Sequence, residues 1–475
     1  MGSALWITMY GTALLGRSRG RHASRAGGIL LILLIIAFSV HQTWPRLAPP
    51  TLGTGSTGAI TAEDVPKDRT SNSAESCRQL PGADKVLVLV KTGASEIYQK
   101  LAGHFLTTFQ CLPNLMIFSD LEQSLGGIQV HDAIAPVTQS TRDRLPDFRL
   151  HDDIARWARE GQDIGKLPSG WSLDKWKFLP MLHHAFDTAS QAIEWFVVIE
   201  PDTSLSWLNL LLWLKTMDPQ QLYYLGSQNN LGATTFAHGG SGIVISRGAA
   251  DKLRAARQST GAGIQAYDRR WEEATSDVCC GDVVVAMAFL EAGIAHTPSW
   301  PLTQGENMNT IDWTRRHWCA PAVTWHHVNG KQVDTLWAFQ NDWAKAHGWQ
   351  TPYLFRDLFE HFIQPHIGVN RSSWNNLSND RQYRSDGDLG GLEQFERDAI
   401  KTPDACATAC ARLQHPEADC VQWMWTPGAC HLGKDLRFGT NDGQEDRHWT
   451  SGWMPERLQR FKEGLAGCDV TWHGV

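Results

Sequence analysis

Glu200 and Asp202, one residue apart in Ile199-Glu200-Pro201-Asp202-Thr203, follow directly on the apolar run Trp195-Phe196-Val197-Val198-Ile199. Ligands of open α/β sheets bind beyond the carboxyl ends of strands. Two carboxylates at such a strand tip can hold a hard divalent cation, Mn2+ or Mg2+, against a diphosphate, where it neutralises charge on a departing nucleotide. The same residues also suit ordinary helix initiation, with Thr203 or Ser204 placed to cap the helix that follows.

Three further clusters lie downstream. Phe236-Ala237-His238-Gly239-Gly240-Ser241-Gly242 is a glycine-rich loop leading into an apolar run; it allows close approach to a ligand, or is a plain tight turn, and it lacks the Lys-Ser/Thr ending of a P-loop. Cys279-Cys280-Gly281-Asp282 precedes Val283-Val284-Val285-Ala286. Asp282 therefore reads as a helix N-cap, as a general base at a helix start, or as both. Trp325-His326-His327-Val328 places adjacent imidazoles after a short strand. Successive strand residues face opposite sides, so one of the two is expected to reach a given site and complete a metal shell.

The elements that must position these groups are short buried strands: Val86-Leu87-Val88-Leu89-Val90, Leu115-Met116-Ile117-Phe118, Trp195 to Ile199, and Gly242-Ile243-Val244-Ile245. Segments of helical spacing lie between them, such as Leu205, Leu208, Leu211 and Leu212, so the pattern predicts an α/β domain with a mostly parallel sheet over 81–345. Residues 346–395, polar and rich in Gly and Asp from 366 on, read as a linker, and 396–475 as a small cystine-stapled module carrying five of the ten cysteines. The irregular spacing there argues against zinc. Five cysteines leave one without a partner inside the module, and Cys468 is the candidate to reach the larger domain.

At the other end, Ala26 to Val40 carries no charge and extends to Trp44, long enough at ~1.5 Å per residue to cross a hydrocarbon core. Arg17, Arg19, Arg21 and Arg25 precede it, which keeps residues 1–25 in the cytosol and sends the rest into the lumen. This is the pattern of a type II signal-anchor over 26–44. The small-x-small site Ala37-Phe38-Ser39 offers a cleaved signal peptide as the rival. Residues 45–80 are a Pro/Gly/Ser/Thr-rich stem. Either topology delivers the cysteines to an oxidising compartment, which suits the sequons at Asn370 and Asn376. A net charge of −7 argues against the concentrated basic face of a nucleic-acid binder, and 22 Trp against 7 Tyr supply indole faces for cores or for sugar rings.

Taken in order, the segments from Val88-Leu89-Val90-Lys91-Thr92-Gly93 through Gly170-Trp171-Ser172-Leu173-Asp174-Lys175-Trp176-Lys177-Phe178, Glu200-Pro201-Asp202-Thr203, the glycine-rich loop and Cys280-Gly281-Asp282 to His326-His327 resemble the Fringe-like fungal branch of glycosyltransferase family 31. The tail, with Cys406, Cys410, Cys420, Gln422-Trp423, Cys430 and Ser451-Gly452-Trp453-Met454, resembles a PAN/apple-like module. The resemblance implies a GT-A (Rossmann-like) fold, Mn2+ (or Mg2+), a UDP-sugar donor, a glycan or glycoprotein acceptor, inversion with a β1,3 linkage, and residence in the Golgi or ER membrane. It makes Asp202 the principal metal ligand, sets Glu200 at the first acid of the family's acidic motif, brings in His326 or His327 as a further ligand and gives Asp282 the part of catalytic base. Thr92, Asp120, Asp174, Lys175, Glu200, His238, Gly239 and Gly240 fall to the nucleotide pocket.

One departure from the family pattern matters. Pro201 sits between the acids and restricts Glu200 toward extended geometry, so Asp202 with a histidine is expected to carry coordination while Glu200 points away. A non-catalytic carbohydrate-binding membrane protein with a degenerate transferase fold is the competing reading, and a secreted hydrolase with paired carboxylates is a third.

Overall fold

The computed structural model describes residues 76–472, apart from 169, 369, 389, 414–418 and 444–447. The expected cytosolic segment 1–25, the membrane span 26–44 and the stem up to residue 75 lie outside the described residues. No helix among the described residues is long and apolar enough to cross a membrane.

The main sheet contains β1 (Val86–Lys91), β2 (Asn114–Ser119), β3 (Gln123–Leu125), β4 (Ile128–Asp132), β5 (Trp195–Ile199), β6 (Tyr224–Gly226), β7 (Ile243–Ser246) and β8 (Thr297–Pro298), in the order β8-β6-β7-β5-β1-β2-β4-β3. Every residue of β1 is buried. Val86, Val88 and Val90 join the core on one face, and Leu87 and Leu89 the core on the other. In β5, Trp195, Val197 and Ile199 alternate with Phe196 and Val198 in the same way. A strand covered on both faces needs such an unbroken apolar run, which is why these two segments stand out in the sequence.

The four central strands β4, β2, β1 and β5 are parallel. The expected mostly parallel sheet is nevertheless mixed, because β7 runs antiparallel to β5 and β6, and β3 antiparallel to β4. The chain returns from β6 to β7 through a hairpin and the glycine-rich loop. Antiparallel neighbours need no helical crossover, and none is present there.

The helices that bear on the site are α1 (Trp171–Asp174), α2 (Phe178–Thr188), α3 (Trp207–Leu214), α4 (Arg247–Gln258), α5 (Ile264–Asp277) and α6 (Gly281–Glu291). α3 packs on one face of the sheet, and α2, α4 and α6 on the other. The cap of α3 is Ser206, whose hydroxyl accepts from the Asn209 amide, and not Thr203 or Ser204. Ser204-Leu205 instead pairs with Thr324-Trp325, and the Thr203 hydroxyl donates to the Gly240 carbonyl.

The stretch expected as a linker is ordered. Arg371–Ser372 (β9) and Arg381–Arg384 (β10) join Gln422–Thr426 (β11), Ala429–Gly433 (β12) and Thr450–Trp453 (β13) in an antiparallel sheet of order β9-β13-β11-β12-β10. Polar as this stretch is, it places Trp374, Asn376 and Tyr383 in the interior, each 8 % exposed or less. Helix α7 (Pro403–Arg412) is stapled to the tail by Cys406–Cys430 and Cys410–Cys420.

Cys468 pairs with Cys319 and so reaches the main α/β part. Closing a loop of 149 residues is worth about 5 kcal/mol in the chain-entropy account. Arg437 adds an ion pair to Asp312. The remaining bridges are Cys77–Cys111 and Cys279–Cys280, and no cysteine among the described residues is free. The first bridge ties residue 77, placed in the stem by the sequence, into the main core.

Candidate active site

The turn after β5 sets the two acids apart. Thr203 donates its amide to the Glu200 carbonyl at 3.0 Å, closing a tight turn with Pro201 at its second position, where proline's fixed φ is favoured. The two carboxylates consequently diverge. Glu200 meets the Lys91 ammonium at 3.2 Å, and Asp202 turns to His326, whose Nε2 lies 3.5 Å from its Oδ1.

Both imidazoles share the Asp202 site, against the alternation expected of a strand. The strand ends at Trp325, and His327 takes a left-handed backbone conformation at φ 54°, a region where histidine is among the more tolerated residues. That bend brings the two rings to 3.8 Å between centroids. One ligand atom each from Asp202, His326 and His327 then falls within 4.8 Å of the others.

The glycine-rich loop makes room for this arrangement. A Cβ on Gly240 would run into the His326 ring, and one on Gly239 would lie 2.6 Å from the Phe178 ring and 2.8 Å from Glu200 Oε1. Their role is close approach rather than unusual dihedrals. The residues fit a divalent cation: one carboxylate with two imidazoles is a donor set for such an ion, and the buried His326 Nδ1 has no hydrogen-bond partner among the described residues.

Burial alone would raise the Asp202 pKa, but the His326 contact and the nearby Lys100 ammonium outweigh it and hold the carboxyl below the usual range. Lys100 Nζ stands 3.5 Å from Asp202 Oδ2. His238 is kept neutral, pushed down to about 4 by burial and then by His326 and His327. Beside the cluster, Lys91 ends β1 almost fully buried and pairs with Asp174 at 2.5 Å as well as with Glu200. Burial disfavours its charge, yet the two acids overcome that and raise its pKa. Burial raises Glu200 despite the pull of Lys91, whereas Lys91 and Lys177 outweigh the burial of Asp174 and lower it.

Asp282 is the second residue of α6 and not its cap, which is Cys280. One carboxylate oxygen accepts from the Gly239 amide at 3.0 Å and the other from the Val283 amide at 3.0 Å. Burial pushes this carboxyl up in spite of those two bonds.

Asp174, Lys175, Glu200, Asp202, His238, Gly240, Asp282, His326 and His327 all face one cavity of about 520 Å3. Gly239 serves it through its amide. Thr92 and Asp120 do not reach the cavity wall. Asp120 is fully buried beneath it, accepting from the Ala94 amide at 2.8 Å and paired with Lys177 at 2.9 Å. The Thr92 carbonyl accepts from Lys177, while its hydroxyl is buried without a partner among the described residues. Sequence reasoning overlooked Lys91 and Lys100. Lys91 carries a signal, since it is the one charged residue closing an otherwise apolar strand; Lys100 carries none. A second cavity of about 350 Å3, between α2 and α5, holds none of the acids of this cluster.

A sheet parallel at its centre, with a carboxylate–imidazole cluster beyond the carboxyl end of a central strand, fits a GT-A-like domain. Residues 175–344 match the family model described as Fringe-like, a segment that contains Glu200, Asp202, the glycine-rich loop, Asp282 and both histidines. The match supports a glycosyltransferase of family 31. No curated protein matches the chain.

Proposed function

We propose that the protein is an inverting, metal-dependent glycosyltransferase. It moves a sugar, hexose or N-acetylhexosamine, from a UDP-sugar to a glycan or glycoprotein acceptor with a β1,3 linkage, in the lumen of the Golgi or ER behind an N-terminal anchor. The observation that carries this reading is the shared cavity. Asp202, His326 and His327 come together on it and Asp282, a buried carboxyl whose pKa is raised, faces the same cavity, all within the segment that matches the Fringe-like model. Ten cysteines, all paired among the described residues, support an oxidising compartment, and the tail sheet with its two internal disulfides is read as a PAN/apple-like module.

Asp202, His326 and His327 would hold Mn2+ or Mg2+, which supplies charge neutralisation for the UDP leaving group. Glu200 stays with Lys91 and shapes the floor. Asp282 accepts the proton of the acceptor hydroxyl as that oxygen attacks the anomeric carbon. The Gly239 and Val283 amides fix its carboxylate while leaving lone pairs free for the hydroxyl, and burial brings its basicity closer to the working pH. Fixing donor and acceptor in one cavity supplies much of the remaining rate.

The test is calorimetric titration of UDP with Mn2+ and then with EDTA. Metal-dependent binding that disappears in Asp202→Ala is the expected result. A folded protein that binds no UDP in either condition would sink the transferase reading.

A further inference from the structure

Trp171 is the one exposed tryptophan among the described residues, with 71 % of its area open to water. It opens α1 on the rim of the 520 Å3 cavity. A single exposed indole is ordinary on an open surface; at a cavity mouth it offers a large apolar face with a polar N–H edge to whatever enters. The same rim carries Cys279 and Cys280, which are bonded to each other. A bridge between sequence neighbours closes no long loop of the unfolded chain, so it lacks the usual stabilising role of a disulfide. What it presents at the rim is a compact sulfur surface without an O–H or N–H of its own.

These two apolar surfaces are held together. Lys175, four residues after Trp171, reaches the Ser276 and Val278 carbonyls at 3.4 and 3.3 Å, pinning the loop that carries the bridge. Gly281 packs so closely on the Lys175 backbone that a Cβ there would lie 2.6 Å from the Lys175 oxygen. The next residue is Asp282. The ledge thus runs along the chain into the proposed base, on the cavity that also holds Asp202, His326 and His327.

We propose that Trp171 and the Cys279–Cys280 bridge form the acceptor subsite, taking a neutral pyranoside whose C–H face lies on the indole and the disulfide while one hydroxyl meets Asp282. Neutrality follows from the surroundings: each lysine on the cavity is already paired, Lys91 with Asp174 and Glu200, Lys100 with Glu96 and Asp202, Lys175 with Asp147 and Lys177 with Asp120, so an acidic sugar would set its carboxylate beside Asp282 with no unpaired lysine to meet it. This proposal rests on the transferase reading and assigns the acceptor side of that site.

The test uses the whole chain with UDP and Mn2+ on an array of neutral and uronic-acid-containing oligosaccharides, with calorimetry of UDP in parallel. Wild type is expected to retain neutral pyranosides. Trp171→Ala should weaken retention at least tenfold, Trp171→Tyr should restore most of it, and UDP affinity should stay within twofold in both. Cys279→Ser with Cys280→Ser should weaken retention as well. Retention unchanged in Trp171→Ala overturns the proposal, as does a wild type that binds UDP but no neutral glycan. A tenfold loss of UDP affinity in Trp171→Ala overturns it too, because the indole would then be stacking the base. Absence of UDP binding in the wild type removes the transferase reading itself, and this subsite with it.

Discussion

Glu200→Gln and Asp202→Ala should separate cleanly, although the two acids are one residue apart. Asp202 is the only anionic donor in its cluster, its atoms within 4.8 Å of both imidazole donors. Changing residues that merely support a metal ligand costs 10–100-fold in affinity, so removing this donor should cost at least about 100-fold in Mn2+ binding, or about 2.7 kcal/mol. Glu200 is turned to Lys91 instead. Its neutral isostere should leave Mn2+ affinity within about threefold, roughly 0.7 kcal/mol, and appear in stability.

The stability effect can be sized from the ion pair. Orphaning a buried charge costs about 3–5 kcal/mol. Lys91 is 2 % exposed but keeps Asp174 at 2.5 Å, so losing one of its two acids should cost roughly half of that, about 2 kcal/mol. With an unfolding entropy of about 2.1 cal/mol/K per residue over roughly 400 residues, the midpoint falls by about 2–3 °C. Mn2+ titration by calorimetry, with thermal unfolding of the same samples, reads both effects. If Glu200→Gln loses Mn2+ as completely as Asp202→Ala, the divergence of the two acids at the Pro201 turn is not the working geometry and the reasoning fails.

Gly240→Ala should lower Mn2+ affinity at least tenfold, because the added methyl displaces the His326 ring; calorimetry reads it, and an unchanged affinity would contradict the packing. Donor turnover at saturating Mn2+ should fall as pH drops through the Asp282 pKa, since the base must be ionised to take a proton, and burial places that midpoint above the ordinary aspartate value. Asp282→Asn should lose turnover by about 100-fold or more across the range, with Mn2+ binding retained; a flat acid limb in the wild type would remove Asp282 from this role. Of the two sequons, only Asn370 should carry a glycan on the secreted protein, because Asn376 is fully buried and donates its amide to the Trp423 and Gly452 carbonyls. Peptide mapping after glycosidase treatment decides it, and a modified Asn376 would refute the tail packing.

How much of this was legible beforehand depends on whether a feature is local. β1 and β5 announce themselves because a strand covered on both faces must be apolar throughout, and the acids beyond β5 follow from where such a strand ends. Pro201 likewise acts on its own neighbours, which is why the divergence of Glu200 from Asp202 was readable as a consequence of proline geometry. The histidine pair was misjudged for the complementary reason. Strand alternation does not reach His326 or His327, because the strand ends at Trp325, and a positive φ at His327, invisible in the sequence, turns the second ring back to the first. Asp282 lies at the start of α6 as the sequence suggests, but the cap reading fails, since the cap falls to Cys280 and the carboxylate is fixed by an amide 43 residues earlier in the chain.

The tail shows the same limit from the other side. Counting cysteines is enough to send one of the five out of the module, because an odd number cannot pair internally, and the one that leaves is Cys468, the candidate. Finding Cys319 as its partner needs a fold in which residues 149 apart meet. The polar stretch 366–395 resisted reading because its interior is built from single residues (Trp374, Asn376, Tyr383) whose partners lie on strands beyond residue 420. Charge and glycine content described its surface correctly. They carried no information about the sheet it completes, since edge and two-residue strands are specified by the strands they join and not by a pattern of their own.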